Sequence, residues 1–67
     1  MNQLNLRARN DTSTLHTFEV AGPEFRVVAH HEAAKTSSVL GVYKSATDAI
    51  IKHFQLLAKF NMEPTHG

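Results

Sequence analysis

The chain has 67 residues, a formal net charge of +1 and no cysteine. A domain of this length buries only about 60% of the surface its unfolded chain exposes, and without cysteine no disulfide or thiolate-held zinc makes up the shortfall. Seven Lys and Arg against six Asp and Glu fall well short of the basicity of a dedicated nucleic-acid binder, and no apolar run approaches the roughly 18 residues of a membrane span.

A cysteine-free composition suits a reducing compartment. "MNQLNLRARN" holds no apolar segment followed by a small-residue cleavage site, so a cytoplasmic protein is expected. Mild acid would charge the five histidines and strengthen any affinity for anions.

Residues 3–9, "QLNLRAR", alternate with period two, placing Leu4, Leu6 and Ala8 on one side and Asn5, Arg7 and Arg9 on the other. That pattern predicts a half-buried strand, or else a disordered arm. "NDTS" supplies turn chemistry, since Asn and Asp bond their own main chain. A second strand is expected over 14–21, with His16, Phe18 and Val20 on the inward face. "GP" at 22–23 marks a tight connection. A third strand, 24–32, puts Phe25, Val27, Ala29 and His31 together. Small residues 33–38 lead to a fourth strand, 38–44, in which Gly41 marks a bulge or a close backbone approach.

Ser45 with Asp48 three residues later is a helix-capping pattern. The helix is expected over 46–61, leaving 62–67 as a tail. The fold class that follows is α+β: an antiparallel three- or four-stranded meander with one C-terminal helix packed on one sheet face, in a single domain.

At 100° per residue, Ile50, His53, Leu57 and Phe60 fall together, flanked by Ala49, Leu56 and Phe54. Ile51 and Ala58 extend the apolar arc beyond Phe54. One sheet needs a stripe of only about 100°. The excess has two readings: residues 33–38 or the tail near Met62 fold over it, or Ile51, Phe54 and Ala58 form a partner-binding surface.

His53 stands where an apolar residue is expected. A metal site would need His16 and His31 to converge on it, yet no H-x-x-x-H or H-E-x-x-H spacing occurs, and no metal is expected. Nor is a cofactor expected, because three isolated glycines make no phosphate-binding loop. No motif singles out a nucleophile and no paired carboxylates have an evident pocket, so an enzyme is not expected.

The outward strand faces carry Arg7, Arg9 and Arg26, with Lys44 at a strand end. Thr17 and Glu19 are expected on the same face. "SSVLGVYKSATDAIIKHF" resembles the third strand and helix of the arm-type DNA-binding domain of tyrosine recombinases and of the plant ethylene-response DNA-binding domain. The resemblance covers 18 residues: a strand end, a polar cap and an amphipathic helix. It implies a three-stranded sheet whose face opposite the helix enters the major groove. The basic and aromatic sheet residues of those families are largely missing here.

The leading expectation is a small non-enzymatic protein-interaction module, a regulator or inhibitor of a larger complex or a homodimerising accessory protein. It would act through Ile51, Phe54 and Ala58, with an exposed strand edge as a second surface. The alternative is DNA or RNA binding through the outward sheet face by Arg7, Arg9, Arg26 and Lys44.

Overall fold

A computed structural model describes residues 3–65. Its elements are β1 (Asn5–Arg9), β2 (Ser13–Val20), β3 (Glu24–His31), β4 (Thr36–Tyr43), α1 (Ala46–Lys59) and β5 (Glu63–Thr65). The five strands form one antiparallel sheet in the order β4-β3-β2-β1-β5. The α+β expectation holds, with one strand more than the three or four anticipated.

That extra strand corrects the reading of 62–67 as a tail. Met62 is buried in the core, and Glu63–Thr65 pairs with β1. Residues 66–67 lie outside the described residues. β1 is accordingly an interior strand between β2 and β5, the strand option of the two the sequence left open.

Local chemistry accounts for the turns. Asn10 Oδ1 accepts hydrogen bonds from the Thr12 and Ser13 amides at 2.9 and 2.8 Å and from the Thr12 hydroxyl at 3.1 Å. Its amide nitrogen donates to the Phe60 carbonyl at 2.9 Å, tying the β1–β2 turn to the end of the helix. Gly22, at φ 147, carries the β2–β3 connection, where a side chain would be strained.

Ser45 caps α1, its Oγ accepting from the Asp48 amide at 3.5 Å. The helix stops at Lys59, two residues before the expected end. Asn61 adopts φ 52, and the Met62 amide reaches back to the Leu57 carbonyl at 2.8 Å while the Asn61 amide reaches Ala58 at 3.5 Å. This left-handed exit satisfies the last carbonyls and drops Met62 into the core beside Leu57.

The helix covers β2, β3 and β4 on one face of the sheet. Between them lies the core: Ala8, Leu15, Phe25, Val27, Ala29, Ala49, Leu56, Leu57 and Met62. Burying a side chain such as Leu15 or Val27 stabilises by about 1.5–3 kcal/mol.

β2 presents the opposite face from the one expected. Ser13, Leu15 and Thr17 are buried under the helix, whereas His16 and Phe18 lie on the other side. Hairpin geometry is the reason: with Asp11 and Thr12 as the loop, Ala8 pairs with Leu15 and Leu6 with Thr17, and cross-strand partners share a face. Apolarity alone favoured the larger His16/Phe18/Val20 set, but register overrides it.

Gly41 has the role its position suggests. Val28 pairs with Val39 and Val27 with Gly41, so Leu40 is an extra residue in β4, a bulge. A Cβ on Gly41 would sit 2.6 Å from the Tyr43 ring, which packs across that spot against the core.

Candidate interaction surfaces

His53 is 2% exposed and makes a 2.7 Å hydrogen bond through Nδ1 to the Thr17 hydroxyl. Burial, and to a lesser degree the charge of His16, keeps its imidazole below the ordinary pKa. His16 stands on the opposite sheet face, its Nε2 2.6 Å from Asn5 Oδ1. His31 lies at the end of β3, its Nδ1 3.1 Å from the Ser13 hydroxyl. The convergence of His16 and His31 on His53 therefore does not occur, and no cluster able to hold a metal ion is found among the described residues.

Ile51 and Phe54 are 51% and 52% exposed, and Ala58 is exposed too. The buried side of the helix is Ala49, His53, Leu56 and Leu57. It is turned away from Ile51 and Ala58, while Phe60, expected in the stripe, is exposed at the helix end. Neither expected cover lies over this flank. Met62 and β5 go to the core and to β1, and residues 33–38 are themselves exposed.

The second surface is the sheet face away from the helix. Cross-strand rows on it run Asn5–Phe18–Arg26–Val42 and Arg7–His16–Val28–Val39, with Arg9–Thr14–His30–Ser37 alongside. Arg7, Arg9 and Arg26 do share this face, as expected. Lys44 follows β4 and is exposed. Thr17 and Glu19 do not share it, because the register of β2 turns them toward the helix. His16 and Phe18 take their place, with ring centroids 4.6 Å apart.

Charges on this face are mixed. Arg26 pairs with Glu24 at 3.0 Å, and Glu32 accepts a hydrogen bond from Thr14 at 2.9 Å. Burial first, then the nearby Arg7 guanidinium, holds the His16 imidazole below its ordinary pKa. A shallow depression of about 420 Å3 is lined by Arg7, Thr14, His16, Phe18, Val28, His30, Glu32 and Ser37. A wider polar cleft of about 720 Å3 lies where the Asn10–Thr12 turn meets Phe60 and Asn61. Its Asn10 amide is already spent on the turn and the helix end.

Val28 lies beside Arg26 on the outward face as its place in the third strand implies, but sequence reasoning missed Phe18, Val39 and Val42 as parts of the same surface. Phe18 faces outward because the loop is the two residues Asp11 and Thr12 and Ala8 pairs with Leu15, a loop length that the turn residues of "NDTS" do not by themselves fix. Val39 and Val42 share a face only because of the bulge beside Gly41, a glycine whose type alone left a bulge and a close backbone approach both open.

The molecule is thus a small α+β domain, in which β2, β3 and β4 form a three-stranded meander followed by α1. β1 and β5 extend that sheet on one side. No family model matches the chain, and neither curated proteins nor solved structures give a match. No helix among the described residues is long and apolar enough to cross a membrane.

Proposed function

We propose that this chain is a non-enzymatic protein-interaction module that engages a partner through the helix flank of Ile51, Phe54 and Ala58. The observation that carries the reading is the half exposure of Ile51 and Phe54 in a domain whose core closes without them. A domain of this size has little apolar surface to leave idle, and Met62 and Glu63–Thr65 are committed to the core and to β1 instead of to this flank. A regulator or inhibitor of a larger complex is the role such a module suits.

The second reading, nucleic-acid binding, gains support from His16 and Phe18 lying between Arg7 and Arg26 on the open sheet face. Aromatic rings beside guanidinium groups offer stacking and phosphate contacts to a single strand. Lys44 and Arg9 would add charge at the margins.

Capture from the native host, with nuclease treatment, separates the two. On the leading reading, a retained protein survives nuclease, is lost with Phe54→Asp, and binds almost equally at about 50 and 200 mM salt. Phosphate contacts weaken steeply over that interval. Retention by Phe54→Asp together with loss in Arg7→Glu/Arg26→Glu would replace the leading reading with the second.

A further inference from the structure

The free edge of the sheet has an unusual register. The Glu32 amide donates to the Thr12 carbonyl at 3.0 Å. In an antiparallel pair, hydrogen-bonded and non-hydrogen-bonded residues alternate, so Thr14–His30, His16–Val28 and Phe18–Arg26 are the hydrogen-bonded pairs of β2 and β3. Phe25, Val27 and Ala29 then direct their main-chain groups to β4, onto Tyr43, Gly41 and Ser38. What remains of β4 is Ser37, Val39 and Val42, whose N–H and C=O groups point off the sheet.

Natural edge strands are usually guarded by charge, proline or a bulge. β4 has no charge or proline between Thr36 and Tyr43, only the bulge at Leu40, and exposes Val39 at 61% and Val42 at 50%. Its one irregularity is the extra residue Leu40, which reverses side-chain alternation: outward positions are odd-numbered before it and even-numbered after it. A regular strand laid along this edge stays in phase with one half only. A second β4, antiparallel, carries the same reversal at the matching point and stays in phase with both.

We infer that β4 pairs with β4 of a second copy of this chain, about a two-fold axis between Leu40 and Gly41, joining two sheets edge to edge. Val39 then faces Val42 of the second copy, Ser38 faces Tyr43, and Ser37 faces Lys44. The Val39–Val42 pair is apolar, and both residues direct free main-chain groups at each other. Sliding the copies by two residues one way opposes Val42 to Ser37 and Lys35 to Lys44, a like-charge pair. Sliding them the other way opposes Val39 to Lys44 and Val42 to Gly41 and loses the apolar pair. Flanking charge and the valine pair together select the register. This goes beyond the reading of the helix flank and does not depend on it.

The test is sedimentation equilibrium up to about 1 mM chain, followed by cysteine pairing, which a cysteine-free chain permits without background. The expected result is a dimer of the 7.4 kDa chain that V39K weakens at least about tenfold, with its thermal melt unchanged at dilutions where both proteins are monomeric, because Val39 lies outside the core. Mixed V39C and V42C chains should cross-link to each other faster than either does to itself. Paired Cβ atoms lie about 5 Å apart, whereas like positions are offset by three residues, about 10 Å. A monomer throughout the range, a dimer indifferent to V39K, or faster V39C self-cross-linking would overturn the inference. A monomer that still captures a protein through Phe54 overturns it while leaving the helix-flank reading standing.

Discussion

Replacing Thr17 by valine removes one hydroxyl from the centre of the protein and little else. Thr17 is 0% exposed and His53 2%, so no water stands ready to replace the 2.7 Å hydrogen bond between them. Leaving a buried imidazole nitrogen unpaired costs about 1–3 kcal/mol. A domain of 67 residues has a total stability of roughly 3–10 kcal/mol, so a single lost hydroxyl removes a sizeable share. Each kcal/mol should lower the melting temperature by about 4–8 °C. Urea unfolding of the wild type, Thr17→Val, His53→Leu and the double variant measures the coupling directly. Replacing both partners by apolar groups is expected to cost less than the sum of the single changes, by about 1 kcal/mol or more. If the two effects add to within about 0.3–0.5 kcal/mol, the hydrogen bond contributes nothing and His53 is held by packing alone.

Gly41→Ala should destabilise by about 1–3 kcal/mol, because the new methyl meets the Tyr43 ring. Urea midpoints should show the loss largely relieved in Gly41→Ala/Tyr43→Leu. Stability should also fall as pH drops through 6.5, the ordinary histidine value. Burial keeps His53 and His16 below that value in the folded state, so the unfolded chain takes up protons first and acid favours it. Above about pH 7.5 the dependence on these groups vanishes, and His53→Leu should flatten the slope measured by denaturant titration at each pH. Phe54→Asp, at a half-exposed position, should shift unfolding by less than about 1 kcal/mol while abolishing partner capture. If it unfolds the chain, the flank is core and the leading reading falls.

Much of this fold is written locally. The Asn10–Ser13 turn, the Ser45 cap and the small residue at 41 each act through neighbours a few positions away, so residue type alone announces them. The helix flank was legible for the same reason, since a period of 3.6 places Ile51, Phe54 and Ala58 on one side whatever lies beneath. The facing of β2 was not. Leu15 and Thr17 against His16, Phe18 and Val20 is close to a balanced choice by hydrophobicity, and only pairing with Ala8 and Leu6 decides it.

β5 escaped notice because three residues containing a proline form a strand only when an edge is waiting for them; here that edge is β1, more than fifty residues earlier. The sequence by itself determined the first four strands, the turns that join them, and the helix with its apolar side. Tertiary structure decided which face of β2 is buried, where the chain's last segment docks, and that β4 is left open with a reversal of phase at Leu40. Those outcomes depend on register between distant segments. A one-residue shift in register exchanges the two faces of a strand without changing its composition.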